Sequence, residues 1–311
     1  MLREVVEAME LLEGADAGSQ ATREWLRTFG LQEDEIQVTQ IEGEKGTTEF
    51  IKVTISPEGA TGPTLGIIGR LGGVGARPHK LGLVSDADGA IVALACAAKL
   101  ARMRARGDLL PGTVIISTHI CPHAPIIPHD PTPFMGAPVD MAAMNRYEVD
   151  PRMEAILSID ATKGNWILNR RGFAITPTVK EGYILRVSPD LLEIMRFVAG
   201  EPPAVLPITT QDITPYGNGL YHINSIMQPA CATSAPVVGV ATCASTPIPG
   251  CATGANHPLS LEQAARFCVE VAKAFSRGEC SFYDPEEFRK LVSLYGSMRH
   301  LQTLGKQGGD R

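Results

Sequence analysis

Apolar and polar positions follow two periods along this chain, one typical of strands and one typical of helices. Residues 64–69 form a continuous apolar run, which predicts a buried strand. Residues 90–106 repeat apolar side chains at helical spacing, and residues 114–117 predict another buried strand. The stretch is therefore a strand–loop–helix–strand unit. In open α/β sheets, ligands bind at the carboxyl ends of the strands, which is where this loop lies.

The same pattern continues in both directions along the chain. Predicted helices span 2–12, 20–29, 141–147, 189–199, 261–275 and 285–304, with Ser19, Ser188, Ser260 and Asp284 as candidate N-caps. Predicted strands span 35–40 and 50–56, an antiparallel pair with a turn at 43–46, then 155–159 and 236–242, with further strands within 164–187. This alternation predicts an α/β fold with a mainly parallel sheet covered by helices on both faces. No linker divides the chain, so one domain over 1–311 is predicted, with residues 305–311 frayed.

The composition narrows the class of protein. The chain has 311 residues, 44% hydrophobic and 20% charged, which is ordinary for a soluble globular protein. Its net charge of -6 argues against a nucleic-acid partner, which would need a basic surface. No apolar run approaches the ~20 residues of a membrane span, and the acidic N-terminal segment does not resemble a signal peptide. Seven cysteines in apolar surroundings predict reduced thiols in a cytoplasmic protein.

Residues 119–138 are dense in proline, which argues against a helix or a central strand. Ordered loops of this length are uncommon and are usually functional. His119, Cys121 and His123 carry imidazole and thiol groups, the usual ligands of zinc, so one prediction is a metal site in this loop. The alternative is a structural role, in which the imidazoles hydrogen-bond backbone groups that have no partner within this proline-rich loop.

Several acids and a late histidine lie at predicted strand ends or helix starts. Asp86 and Asp88 precede a predicted helix. One interpretation is a metal ligand together with an acid that supports the ligand or binds substrate, and the other is an N-cap of the helix. Asp160 ends a predicted strand, where a carboxylate can bind metal or cap the next turn. His257 precedes a late helix. Metal binding at one edge of the sheet is therefore one interpretation of these residues.

Other catalytic signatures are weak. The glycine loop at 69–75 lacks the spacing of a dinucleotide fingerprint, and the sequence has no G-x-x-x-x-G-K-[ST] phosphate loop. It also lacks the G-x-S-x-G elbow of serine hydrolases. Cys121 paired with a histidine stays open as a thiol nucleophile, because proximity in sequence does not show that the thiolate is activated.

Three runs of sequence resemble a known family over nearly the whole length of the chain. They are GRLGGVGARPHK, STHICPHAPIIPHDPTPFMG and CATSAPVVGVATCASTPIPGCATGANHP. They resemble the bacterial family described as domain of unknown function 1177. The family name implies no particular activity.

A weaker likeness connects the chain to the co-catalytic zinc exopeptidases, the aminopeptidase and acetylornithine deacetylase group. Asp86 resembles their bridging aspartate, Asp160 their later aspartate ligand and His257 their last histidine. The resemblance implies a three-layer α/β/α sandwich with a mixed, mainly parallel sheet, a divalent metal such as zinc, and a homo-oligomer. The chain departs from the family pattern at two places. Arg70-Leu71-Gly72 stands where the family has His-x-Asp, and the segment 119–123 stands where it has Glu-Glu.

These observations lead to a first functional hypothesis, a metal-dependent hydrolase acting on an amide bond of a small peptide or N-acylated amino acid. Its candidate residues fall into three roles. The candidate metal ligands are Asp86, Asp160 and His257 with His119, Cys121 or His123, and His79 is a stand-in for the first histidine of the family pattern. The candidate catalytic acids and bases are Asp88, His123 and Glu148. The candidate substrate contacts are Arg70, Arg171 and Asn256. The rival hypotheses are a metal-free binding protein of the same fold, in which Arg70 replaces the charge of the metal, and a metal-free thiol enzyme that uses Cys121.

Overall fold

The structure, a computed structural model, describes residues 1–43, 45–70, 82–216, 218–220, 222 and 225–302. Its α-helices are α1 (Leu2–Glu13), α2 (Ser19–Arg27), α3 (Asp88–Ala105), α4 (Met141–Glu148), α5 (Pro189–Ala199), α6 (Pro258–Ser276) and α7 (Pro285–Tyr295). Its strands are β1 (Ile36–Gly43), β2 (Gly46–Ile55), β3 (Gly62–Gly69), β4 (Gly112–Ile120), β5 (Ile126–Ile127), β6 (Phe134–Met135), β7 (Ala155–Ala161), β8 (Gly172–Ile175), β9 (Val179–Lys180), β10 (Tyr183–Ile184) and β11 (Val237–Cys243).

One large mixed sheet organises the fold. Its strand order is β1-β2-β4-β3-β7-β11-β9-β10, and β8 pairs separately with β11. The central strands β4, β3, β7 and β11 run parallel, whereas β1 and β2 at one side and β8, β9 and β10 at the other are antiparallel. The central strands are almost entirely buried, as expected of parallel strands covered on both faces. Their carboxyl ends meet at one edge.

Helices cover both faces of this sheet. On one face α3 and α6 pack against each other and against β3, and α1 packs on both helices. At Gly69 a Cβ would come within 2.3 Å of the carbonyl oxygen of Gly89. Because Gly69 has no side chain, β3 and the start of α3 can pack closely on this face. On the other face the hydroxyl of Ser158 in β7 bonds the carbonyl of Ile226, in a 3₁₀ helix at Ser225–Cys231. The predicted three-layer α/β/α sandwich is therefore confirmed.

Most predicted elements occur within a few residues of their predicted bounds, and the errors have local causes. The helix predicted to begin after Ser260 begins at Pro258, because proline is pre-set for the first helical turn. The last α-helix ends at Tyr295 rather than continuing through 304, and Gly296 follows it. In the segment predicted as a loop, His119 and Ile120 extend β4, and β5 and β6 form a short hairpin. The loop prediction is therefore wrong for its first two residues.

Among the described residues, none of the helices combines the length and apolarity needed to cross a bilayer.

Candidate functional site

A small pocket of about 70 Å³ with both polar and apolar walls lies at the carboxyl edge of the parallel strands. The loop after β7, the β5–β6 hairpin and the segment before the 3₁₀ helix form its walls. It is lined by Asp86, His129, Thr132, Pro133, Phe134, Ala161, Thr162, Gly164, Asn165, Tyr216, His222, Ser225, Ile248 and Gly250. This position agrees with the rule that open α/β sheets bind ligands beyond the carboxyl ends of their strands. We call it the edge pocket.

Two buried aspartates lie at the edge pocket, Asp86 in its lining and Asp160 next to the lining residue Ala161. Asp86 precedes α3 and accepts a hydrogen bond from the backbone N–H of Met135 at 2.8 Å. Asp160, near the end of β7, accepts one from Ala161 N at 2.7 Å and a short one from the hydroxyl of Ser225, which lines the pocket. Burial raises the pKa of Asp86 to about 6 and that of Asp160 to about 7, and the charge of Asp86 adds to the rise at Asp160. Perturbed acids in a cleft are typical of functional sites.

The backbone fits closely around Asp86. Gly250 lies so near that a Cβ at this position would come within 2.1 Å of Oδ2 of Asp86. The N–H of Asp86 also bonds the carbonyl of Gly250 at 3.1 Å. A glycine at position 250 is therefore required for the carboxylate to keep its place.

Sequence reasoning missed two aromatic residues of the edge pocket, Tyr216 and His222. Their rings stack with centroids 4.3 Å apart, and His222 is only 6% exposed. A hydrogen bond with the backbone of Pro215 acts on this ring and opposes part of the effect of its burial. Burial lowers the pKa of His222, so the neutral imidazole, the form that binds metals, is favoured. Little in the sequence indicated these two residues, because both lie in an irregular, glycine-containing stretch without hydrophobic periodicity.

A second buried group lies beside the edge pocket and joins Arg70, His119 and Glu148. The guanidinium of Arg70 makes a short ion pair with Oε2 of Glu148, and Nδ1 of His119 lies 2.6 Å from Oε1. All three side chains are at most 1% exposed. Burial by itself raises the pKa of Glu148, but Arg70 and His119 together outweigh it and hold the pKa below its usual value. Both carboxylate oxygens are thus engaged, and Arg70 is not accessible to a substrate.

A third buried group contains Asp88. Its Oδ2 lies 2.7 Å from Nζ of Lys163 and accepts a hydrogen bond from Thr242 at 2.6 Å, while Oδ1 accepts one from Asn256 at 2.7 Å. Lys163 also donates to the carbonyls of Ser85 and Ala255. Asp88 and Asn256 are therefore bonded to each other and to the scaffold, rather than presented to a substrate as base and contact.

The remaining predicted site residues lie elsewhere. Cys121 points its thiol at the carbonyl of Thr47, and burial raises the pKa of this thiol to about 11. Arg171 and His257 share a separate pocket of about 400 Å³ at the start of α6. His123 is exposed and does not line the edge pocket. His79 lies outside the described residues.

The predicted ligands that the structure describes do not assemble into one coordination shell. Within the part of the chain that the structure describes, no three histidine, cysteine, aspartate or glutamate side chains are grouped so that they could hold a metal ion. Of the predicted ligands, Asp86 and Asp160 are brought together, His119 is paired with Glu148, and His257 is placed in the other pocket.

Two solved structures show the class of fold. The chain is similar to the bottromycin maturation enzyme BotP, with 14% sequence identity, a TM-score of 0.54, and coverage of 87% of this chain and 69% of BotP. It is also similar to the LapA aminopeptidase of Legionella pneumophila, with 8% identity, a TM-score of 0.50, and coverage of 91% of this chain and 72% of LapA. The fold is therefore the predicted α/β/α sandwich, which this chain shares with both proteins.

The sequence itself identifies the family. Residues 39–305 match the family described as "Protein of unknown function (DUF1177)", so the chain belongs to that family, as the sequence runs predicted. We found no match to the chain among curated proteins.

Proposed function

We propose that this protein is a metal-dependent hydrolase that cleaves an amide bond in a small peptide or an N-acylated amino acid. One observation carries the proposal. Asp86 and Asp160, two buried carboxylates with raised pKa values, interact at the carboxyl edge of a peptidase-type sheet, and Asp86 lines a pocket that also contains the buried imidazole of His222.

The chemistry of these three side chains fits a divalent ion. Carboxylate oxygens and a neutral imidazole are common ligands of zinc in hydrolases. Buried carboxylates whose pKa is raised gain most from a nearby cation, and a neutral imidazole can bind that cation through a ring nitrogen. Because the side chains are not grouped into a shell, ion binding requires Asp86, Asp160 and His222 to move closer to one another. A bound ion would supply Lewis-acid polarisation of the substrate carbonyl.

The other pocket residues support a division of roles. The hydroxyl of Tyr216 can donate to the substrate oxygen that gains charge during hydrolysis. His129 lines the same pocket and is our candidate for the proton acceptor, because imidazole is the commonest general base. Asp88 and Glu148 do not fit this role, since their oxygens are already bonded.

The walls of the pocket favour a small substrate with an apolar part. Phe134, Pro133 and Ile248 form apolar surface around the polar floor. Trp166 is 69% exposed on the turn that follows the pocket residues Gly164 and Asn165, and it adds aromatic surface nearby. A free amino acid or dipeptide with an apolar side chain matches this surface better than a long polar chain does.

A metal-free binding protein is the second candidate, and a specific observation favours it. Arg70 occupies the end of β3 as a buried cation, and no three ligating side chains are grouped among the described residues. In that case the edge pocket binds a small ligand without hydrolysing it.

Elemental analysis separates the two candidates. We expect stoichiometric zinc or manganese in the parent protein purified without chelator, and its loss in Asp86→Asn, Asp160→Asn and His222→Asn. The exposed Asp108→Asn is the matched control and should keep the metal. Amine release from apolar dipeptides and N-acetyl amino acids then tests hydrolysis. Absence of metal after reconstitution of the folded parent protein would contradict the proposal and leave the binding protein.

A further inference from the structure

The pocket of about 400 Å³ at the start of α6 has the chemistry of a site for an organic anion. We call it the α6 cleft, and its polar lining includes Arg171, His257 and Ser260. We propose that the α6 cleft binds the free carboxylate of the ligand whose amide group lies in the edge pocket. This inference rests on the proposed function, because it gives the substrate of that hydrolase a free carboxylate.

Arg171 supplies a positive charge that no acid of the protein compensates. Its side chain is exposed and makes no ion pair within the described part of the chain, whereas its neighbour Arg170 is paired with Glu201. None of the described residues that line the cleft is an acid. The planar guanidinium of arginine matches a carboxylate with two parallel hydrogen bonds. An uncompensated arginine beside an acid-free cleft therefore favours an anionic ligand.

Ser260 adds a buried hydroxyl to the wall of the cleft. The residue is only 4% exposed, and its hydroxyl makes no hydrogen bond to another described residue. A buried hydroxyl without a partner costs free energy, and the cost disappears when a ligand oxygen accepts its hydrogen bond. Ser260 is thus a second donor, independent of Arg171, for an oxygen placed in the cleft.

The start of α6 brings a positive field to the same place. This helix is 19 residues long, and its first turn has neither a side-chain cap nor an acid. The N–H groups of Ser260 and Leu261 donate to the carbonyl of His257, whereas that of Leu259, which also lines the cleft, has no acceptor among the described residues. The dipole of a helix and its free N–H groups favour an anion at this end.

The composition of the cleft favours a carboxylate on an apolar body over inorganic phosphate. Pro258, Leu259 and Ile248 give it apolar surface beside the polar groups. Arg171 provides one permanent positive charge, which matches the single charge of a carboxylate. A phosphate group carries about −1.5 to −2 at pH 7 and would remain partly uncompensated there.

The α6 cleft adjoins the edge pocket. Ile248 lines both. Cys243, at the end of β11, lines the cleft, and its thiol lies 3.8 Å from the hydroxyl of Thr162, which lines the edge pocket. Neighbouring strands are ~4.8 Å apart, and one residue of extended peptide spans about 3.3–3.6 Å. The carboxylate therefore lies one or two residues beyond the amide, as in an N-acylated amino acid or a dipeptide.

The test compares two probes that differ only in the carboxylate, N-acetyl-L-leucine and N-acetyl-L-leucinamide. Their binding to the full chain is measured by calorimetry in the presence of chelator, which prevents turnover of the probes. We expect the acid to bind at least about tenfold more tightly than the amide, and Arg171→Gln to abolish this preference. Ser260→Ala should weaken binding of the acid and leave that of the amide unchanged. Arg170→Gln is the matched control and should keep the preference.

The outcomes separate this inference from the proposed hydrolase. Equal binding of both probes, binding of neither, or a preference that survives Arg171→Gln would overturn the carboxylate site, whether or not the protein hydrolyses amides. Displacement of the acid by a lower concentration of inorganic phosphate would overturn the choice of carboxylate.

Turnover tests whether the bound carboxylate belongs to the substrate. Arg171→Gln should raise the KM for leucyl-leucine at least about tenfold and leave the KM for its C-terminal amide unchanged. A KM for leucyl-leucine that does not change would overturn the assignment to the substrate. Absence of hydrolysis would contradict the proposed function, and the calorimetry would still decide the carboxylate site.

Discussion

Replacing Lys163, a buried cation next to the edge pocket, is expected to lower the free energy of unfolding strongly. Its ammonium lies 2.7 Å from Asp88 and donates to the carbonyls of Ser85 and Ala255 at 3.2 and 3.0 Å. Both members of the ion pair are 2% exposed at the side chain. Lys163→Met removes the charge and keeps most of the volume, so Asp88 is left as an uncompensated buried anion.

The structure sets the size of the effect. Breaking one side of a buried ion pair costs about 3 to 5 kcal/mol. Each ~1.4 kcal/mol is a factor of ten in an equilibrium constant, so the folded population relative to the unfolded one should fall at least about a hundredfold. In the double variant Lys163→Met/Asp88→Asn the charge is gone from both partners. The remaining cost is mainly the unsatisfied carbonyl of Ala255, about 1 to 3 kcal/mol.

Urea unfolding followed by circular dichroism measures these differences in the free energy of unfolding. The exposed Lys290→Met on α7 is the control and should change the free energy of unfolding by less than about 0.5 kcal/mol. The reasoning is refuted if Lys163→Met costs less than about 1 kcal/mol, or if adding Asp88→Asn does not recover stability, because the pair would then not be coupled.

Three further predictions concern the edge pocket and Cys121. Burial places the pKa values of Asp86 and Asp160 above those of an unfolded chain, so the folded state holds extra protons. In the presence of chelator, the contribution of these two groups to the free energy of unfolding should be largest below pH ~4 and should fall as the pH rises through about 6 to 7. Asp160→Asn should reduce this fall, as measured by urea unfolding at a series of pH values. Gly250→Ala should displace the Asp86 carboxylate and lower zinc affinity at least about tenfold by calorimetry, whereas Gly14→Ala, where the nearest atom is 3.4 Å away, should not. Burial raises the pKa of the Cys121 thiol to about 11, so Cys121→Ser should keep the amide hydrolysis measured by amine release; its loss would support the thiol-enzyme alternative.

The helices and the central strands were predictable from the sequence, because their signals are local. The apolar run before Arg70 and the periodic stretch after Asp86 became β3 and α3. Ser188 and Asp284 accept hydrogen bonds from the first turns of α5 and α7, as their positions predicted. The hairpin of β1 and β2 was also predicted, because strict alternation and a glycine turn specify it.

The candidate site was predicted only in part. Asp86 and Asp160 lie at strand ends and helix starts, positions that topology brings together whatever the loops do. Tyr216 and His222 come from an irregular segment, and their place in the pocket depends on how that segment packs on the sheet. His257 had the expected position before a helix, but the same topology placed it in a different pocket.

The sequence by itself determined the α/β class, the order of its elements and the edge at which chemistry-bearing residues collect, because those depend on periodicity and on chain direction. Only the tertiary structure decided which charges are compensated. Arg70 meets Glu148 from α4, and Asp88 meets Lys163 from the loop after β7, across 78 and 75 residues of chain. Such pairings follow from close packing in a medium of low dielectric, where each buried charge must find a partner, and no local pattern in the sequence specifies which partner it finds.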